Sequence, residues 1–189
     1  MAQEAMELRR DLFPPAGTWE LDLGHTSAGF VARHMLTKTR GRFTELSGSV
    51  EIGERIEDSH VSVDLQAASI SSNQEMRDNH LRSPDFLDVE RFPVISFRST
   101  ALRPVNESEF ELDGELTIKD ITRPVTLKAE MLGWGPGMQE GQTVASFSAK
   151  TTIDREDWDM TWNMVVETGG LLVSKKVDIE LDAELHYAG

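Results

Sequence analysis

One short stretch of the chain concentrates the side chains that could do acid–base chemistry. The run EMRDNHLRSPDFLD, Glu75 to Asp88, holds two arginines, four carboxylates and a histidine. A carboxylate can tune a neighbouring histidine, so His80 with Asp78 or Asp85 is a candidate dyad for an enzyme acting on a lipid or amide substrate. The same residue types also cap short helices and cross-link loops through charge-assisted hydrogen bonds. We favour this second interpretation, a polar clasp, and predict no catalytic residue.

Other signs of catalysis or metal binding are missing from the sequence. The motifs G-x-S-x-G, G-x-x-x-x-G-K-[ST] and H-E-x-x-H do not occur, and there is no cysteine. No two histidines stand at the i,i+4 spacing of a helical metal site; they are His25, His34, His60, His80 and His186. We therefore predict no metal, no required cofactor and a protein that is not an enzyme.

Composition narrows the class of partner. The 189 residues include 19 basic and 33 acidic side chains, giving a net charge of −14. Such a surface repels phosphate backbones and anionic lipid head groups, so we expect no nucleic-acid partner. No run reaches the ~18 to 20 apolar residues of a membrane span, and the charged N-terminus does not read as a signal peptide. A cytoplasmic location is expected, and the sequence is compatible with a homodimer.

The elements that would position these residues are mainly strands. In VDIELDAEL, residues 177–185, apolar and acidic side chains alternate strictly, which predicts a strand with one buried face. Similar runs recur along the chain, separated by turn residues, and predict an all-β fold: a closed or nearly closed antiparallel barrel. Residues 1–15, ending at Pro14-Pro15, are assigned to a polar lead-in and residues 16–189 to the barrel domain.

The polar stretch Glu75 to Asp88 lacks this alternating pattern and is predicted to form helices. Ser72 followed by Glu75 fits a capping box, so a helix should begin near Asn73. Ser83-Pro84-Asp85 has the residues that start a second short helix. We expect the two helices to lie beside the barrel.

Two segments carry candidate ligand contacts. In HTSAGFVARHML, Phe30, His34 and Leu36 share one face, so His34 is either a hydrogen-bonded core residue or a polar tip that meets a ligand head group. In DREDWDMTWNM, Trp158 and Trp162 accompany two methionines, a combination that suits either a portal for an apolar chain or ordinary core packing.

From about Gly17 to Tyr187 the chain resembles the YceI-like family of polyisoprenoid-binding, lipocalin-like barrels. The resemblance is carried by WELDLGHTSAGFVARHM with the following GRFTELSG, by SISSNQEMRDNHLRSPDFLDVERFPVISFRS, by GELTIKDITRPVTL, and by the closing strand after SKKV. It implies a barrel of about eight strands around a long hydrophobic tunnel that holds an isoprenoid or similar lipid tail. It also implies a non-enzymatic protein. Many relatives are periplasmic.

The sequence thus predicts a binder or carrier of a long-chain isoprenoid, such as a polyprenyl quinone or its precursor. The predicted contacts comprise tunnel-lining residues, the two portal tryptophans and two further polar head-group candidates: Phe30, His34, Leu36, Phe43, Val63, Phe97, Met131, Phe147, Trp158, Trp162, Arg77 and His80. Two alternatives stay open: the His80 enzyme, and a scaffold barrel filled by its own side chains. Phe43 is the least certain contact, because its parity is opposite to that of Leu46, Val50 and Ile52.

Overall fold

Antiparallel strands dominate the chain, as the period-two patterns predict. The computed structural model describes residues 12–167 and 170–189. Eleven strands form one sheet: β1 Gly17–Leu21, β2 Ser27–His34, β3 Thr37–Phe43, β4 Leu46–Ile52, β5 His60–Gln66, β6 Ile70–Ser71, β7 Val94–Pro104, β8 Glu109–Ile118, β9 Ile121–Pro136, β10 Thr143–Asp154 and β11 Val173–Tyr187.

The sheet closes on itself. The ring runs β1-β4-β5-β7-β8-β9-β10-β11 and returns to β1, because Trp19 pairs with Val50 of β4 on one side and with Tyr187 of β11 on the other. Closure removes the unpaired edges through which open sheets aggregate. The predicted fold class, a closed antiparallel barrel of eight strand positions, is confirmed.

Three of the eight positions are strands broken into two segments. β1 and β2 both pair with β11, at its Leu185 end and around Ile179 respectively, so together they form one interrupted strand. β3 pairs with β2 while β4 pairs with β1, and β6 pairs with β3 while β5 pairs with β4. The interruptions explain how eleven segments make an eight-stranded barrel.

The predicted pair of helices is only half right. One α-helix, α1, covers Glu75–Arg82, and its N-cap is Gln74, whose side-chain oxygen accepts a hydrogen bond from the Arg77 amide. The capping box fails because the hydroxyl of Ser72 is engaged by Asp78 instead. Residues 84–87 form turns rather than a second helix. Short 3-10 helices occur at Ile56–Asp58, Ala67–Ser69 and Arg155–Trp158.

The core consists of two clusters, one toward each end of the barrel. The first contains Phe13, Trp19, Ile52, Ile56, Leu102, Phe110, Leu112, Leu127, Ala129, Ala145 and Leu185. The second contains Ala67, Ile70, Phe86, Leu87, Ile95, Ile118, Ile153, Trp158 and Met160. The apolar set of β11 predicted from alternation faces these clusters, since Leu181, Ala183 and Leu185 belong to the first and Val177 and Ile179 to the second.

The segment before β1 contributes to the first cluster. Phe13 is buried and packs against Phe110 and Phe147, with ring centroids 5.9 and 6.2 Å away. Residues 1–11 of the predicted lead-in lie outside the described residues. Within the described residues, no helix has the length and apolar character needed to cross a membrane.

Trp19 should be a main anchor of barrel closure. Its side chain is 0% exposed, its ring lies 5.1 Å from that of Tyr187, and its indole N–H donates to the Pro15 carbonyl at 3.1 Å. We expect Trp19→Ala to lower the free energy of unfolding by about 3–5 kcal/mol in urea denaturation. Trp134→Ala, at a partly exposed indole, is the control and should cost about 1 kcal/mol. Equal losses would contradict this assignment.

Candidate ligand-binding cavity

A hollow lies between the two core clusters. Its volume is about 310 Å³, and it is lined by the inward faces of strands around the whole ring. Along β11 the lining extends from Val173 to Leu185, and its regular part from Val177 to Leu185 spans eight positions, about 26 Å at the rise of an extended strand. The cavity is therefore elongated, and its volume falls at the lower end of the range of small-molecule sites.

The exposure of the wall residues reveals that this space is not filled by the protein itself. Phe30, Phe43, Phe97 and Phe147 face the inside of the barrel, yet each is only half-buried. A large apolar side chain inside a solid core would be buried, because interiors pack as densely as organic crystals. Alanines open the space further; those on the wall are Ala28, Ala32, Ala129, Ala149 and Ala183. A barrel filled by its own side chains does not describe this interior.

The structure places five of the predicted contacts on the cavity wall: Phe30, Phe43, Val63, Phe97 and Phe147. Phe43 faces inward despite its parity because Thr44 and Glu45 separate β3 from β4 and reset the alternation. Met131 is half-buried and packs against the first core cluster without lining the cavity.

His34 and Leu36 do not lie on the cavity wall, contrary to the prediction. His34 is the last residue of β2 and is exposed, and Leu36 lies in the turn to β3, where it is 95% exposed. Alternation would have kept them inside only if the strand had continued. The strand end, which the apolar pattern did not mark, decides their position.

The tryptophan and methionine segment divides between core and surface. Trp158 is 2% exposed and donates its indole N–H to the Leu116 carbonyl at 3.1 Å, so it is a core residue off the cavity wall. Met160 is buried and does line the cavity. Trp162 is half-buried beside the rings of His80 and Phe86, at 4.5 and 5.5 Å, and does not reach the wall.

The polar stretch forms the predicted clasp. Asp78 is buried and accepts hydrogen bonds from the amide of Ser72, at 2.8 Å, and from its hydroxyl. Arg77 donates to the same hydroxyl at 2.7 Å and to the Ser72 carbonyl at 3.0 Å. Arg82 donates to the carbonyls of Ala68 and Ile70 at 2.8 and 2.7 Å. These bonds tie α1 to the segment around β6.

Arg77 and His80 therefore do not reach the cavity as head-group contacts. The guanidinium of Arg77 is held by Ser72, and His80 Nε2 lies 2.8 Å from Asp85 Oδ2 on the outer side of the second core cluster. Of the two dyads that the enzyme alternative requires, only His80 with Asp85 is formed, since Asp78 is bound by Ser72.

The sequence analysis missed Arg155, the one basic residue on the described cavity wall. It opens the 3-10 helix after β10 and is 3% exposed. Burial lowers the pKa of this guanidinium, although arginine keeps its charge at physiological pH. The local sequence DREDW does not indicate that its arginine is buried. The burial depends on Met160, Val173 and Ser174, whose carbonyls accept hydrogen bonds from Arg155 in the folded chain.

An antiparallel barrel around an elongated apolar cavity is the class of protein that the fold and the cavity define. The family model described as the YceI-like domain matches residues 19–185. This chain therefore belongs to the YceI-like family, as the sequence resemblance predicts. Two UPF0312 proteins of Staphylococcus aureus are each 33% identical over 166 residues, which cover 86% of this chain and 94% of theirs.

Solved structures with the same fold are more distant in sequence. Burkholderia cenocepacia BcnA has a TM-score of 0.74 at 20% identity, covering 87% of this chain and 99% of its own. A Campylobacter jejuni YCEI protein has a TM-score of 0.72 at 21% identity, with coverages of 83% and 90%. A polyisoprenoid binding domain from Saccharophagus degradans has a TM-score of 0.64 at 12% identity, with coverages of 90% and 98%. These likenesses establish the fold.

The clasp interpretation makes a stability prediction. Asp78→Ala removes a buried carboxylate and leaves the amide and the hydroxyl of Ser72 without their acceptor, so it should lower the free energy of unfolding by about 2–3 kcal/mol. Asp85→Ala, at a half-exposed ion pair with His80, should cost less than about 1 kcal/mol. Thermal and urea denaturation measure both. A larger effect of Asp85→Ala would contradict the clasp.

Proposed function

We propose that this protein binds and carries a long-chain isoprenoid or similar amphiphilic lipid inside the barrel, without catalysing its conversion. A polyprenyl quinone or its precursor is one such ligand. The observation that supports the proposal is the elongated hollow of about 310 Å³ bordered by half-buried phenylalanines. The Saccharophagus degradans relative, described as a polyisoprenoid binding domain, supports the same ligand class.

The energetics favour a tail as the main source of affinity. Burying ~400 Å² of apolar tail contributes roughly 10 kcal/mol at ~25 cal/mol per Å². Losses of translational, rotational and internal freedom offset about 4–15 kcal/mol of such gains. A few polar contacts then orient the head without dominating the affinity.

Ligand extraction tests the proposal directly. Protein purified without detergent should release a lipid into organic solvent that mass spectrometry identifies by its isoprene repeat. Delipidated protein should take up a short polyprenyl quinone, measured by native mass spectrometry. Recovery of no lipid, combined with no uptake, would contradict the proposed function.

Filling the cavity should block uptake without unfolding the barrel. Ala149 lies on the wall, and the next residue, Lys150, is exposed on the opposite face of β10. We expect Ala149→Trp to weaken prenyl ligand binding by at least about tenfold, equal to about 1.4 kcal/mol, because the indole occupies ligand space. Lys150→Trp should bind within about twofold of the unaltered protein. Circular dichroism checks that both variants fold, and equal affinities would place the ligand elsewhere.

A further inference from the structure

Arg155 places a charge at the wall of a largely apolar cavity, and no carboxylate among the described residues forms an ion pair with it. Its guanidinium carbon lies 5.8 Å from the centroid of the Phe86 ring, which also lines the cavity. Removing a charge from water is costly unless it is paired. A cation here therefore requires a physical explanation.

The protein satisfies the hydrogen bonding of Arg155 without neutralising it. Nε donates to the Ser174 carbonyl at 2.9 Å, Nη1 donates to the Met160 carbonyl, and Nη2 lies 3.5 Å from the Val173 carbonyl. A guanidinium has five N–H donors. The three carbonyls accept from three of them, and two donors remain for a ligand. Carbonyls are dipoles and leave the full positive charge in place.

No carboxylate of residues 12–167 or 170–189 forms an ion pair with Arg155. The acids beside it in sequence are engaged elsewhere: Asp154 pairs with Lys176 at 3.4 Å and Glu156 with Lys175 at 2.8 Å. Asp182, which itself lines the cavity, lies six positions along β11 from Lys176, the partner of Asp154, and this separation is about 20 Å. Asp154 and Glu156 attract the guanidinium at longer range, but among the described residues no carboxylate makes a direct ion pair with it.

We infer that the ligand carries an acidic head group, a carboxylate or a phosphate monoester, which binds Arg155 while the tail extends along the cavity toward Phe13. The inference rests on the proposed function and specifies its substrate class. Arginine suits this role because its planar donors match carboxylate and phosphate oxygens. A tail directed toward Phe13 meets the apolar residues of β8 and β11 along its length.

Three ligands with one tail test the head group. Binding of farnesol, farnesoic acid and farnesyl phosphate to delipidated protein is measured by titration calorimetry. We expect farnesoic acid or farnesyl phosphate to bind at least about tenfold more tightly than farnesol. The one that binds more tightly identifies the preferred head group as a carboxylate or a phosphate. Equal binding of all three would overturn the head-group inference and leave the carrier function standing. Binding of none would overturn both.

A pair of arginine variants completes the test. Arg155→Met should abolish the preference for the acid while farnesol still binds. Arg82→Met is the matched control, because Arg82 also donates to backbone carbonyls but lies off the cavity wall; it should keep the preference. If Arg155→Met does not fold, the three-ligand comparison on the unaltered protein decides. A preference retained in folded Arg155→Met would overturn the inference.

A second, independent site lies on the outside of the barrel where the β1–β2 turn meets β11. Glu184 and His186 are two residues apart on β11 and so point to the same face. Asp22 and His25 flank the turn above them, and the Asp22 amide donates to the Glu184 carbonyl at 2.8 Å. Residues from both ends of the sequence thus bring two imidazoles and two carboxylates together.

Asp22, His25 and Glu184 offer ligand atoms that all lie within 4.8 Å of one another, and His186 lies close to both carboxylates. His25 Nδ1 lies 2.9 Å from Asp22 Oδ2 and 3.9 Å from Glu184 Oε1. His186 Nε2 lies 3.2 Å from the same Asp22 oxygen and 3.5 Å from the same Glu184 oxygen. A tetrahedral zinc with ligands at ~2.0–2.1 Å separates them by about 3.3–3.4 Å. The four histidine–carboxylate distances bracket that value.

We propose that Asp22, His25, Glu184 and His186 bind Zn²⁺, linking the turn to β11. Calorimetric titration of untagged protein with ZnCl₂ should give one site per chain. His25→Ala and His186→Ala should each weaken it by at least roughly tenfold. His34→Ala and His60→Ala, at exposed histidines elsewhere, should not change it. Equal affinity in all four variants, or no binding by the unaltered protein, would overturn the proposal.

Discussion

The closed ring of backbone hydrogen bonds is the constraint on which the rest of the structure depends. Because β1 pairs with both β4 and β11, the ring is closed through β1, and closure determines which face of each strand points inward. An eight-stranded barrel is just wide enough for side chains or one small ligand. Wall alanines, such as Ala149 opposite Leu181, leave part of that width unfilled.

A hollow weakens packing, and the two ends of the barrel offset the loss. Side chains that border empty space lose dispersion contacts on one side. The fully packed residues lie instead in the end clusters, around Trp19 at one end and Trp158 at the other. The clasp of Asp78, Arg77 and Arg82 holds α1 and the segment around β6 beside the second cluster. The ends stabilise the fold, and the middle is free to bind.

The charge outside the barrel and the charge inside have opposite signs and different consequences. The net charge of −14 keeps the surface repulsive toward polyanions. Exposed charges are screened beyond about 8 Å at physiological ionic strength, however, whereas a desolvated charge is screened much less. Arg155, whose hydrogen bonds go to carbonyls, therefore affects the affinity for a charged head group more than the many surface carboxylates do.

Strand periodicity let the sequence by itself predict the barrel, the inward face of β11 and four of the five wall residues, with Phe43 as the exception, because a two-residue repeat is a property of each strand alone. It could not predict that β2 ends at His34, that Thr44 and Glu45 reset the register before β4, or that Ser72 binds Asp78 instead of capping α1. Tertiary structure alone placed Phe13 and Arg155 at the cavity and gathered Asp22, His25, Glu184 and His186. Those contacts join residues far apart in the chain, and only ring closure and register decide which of them meet.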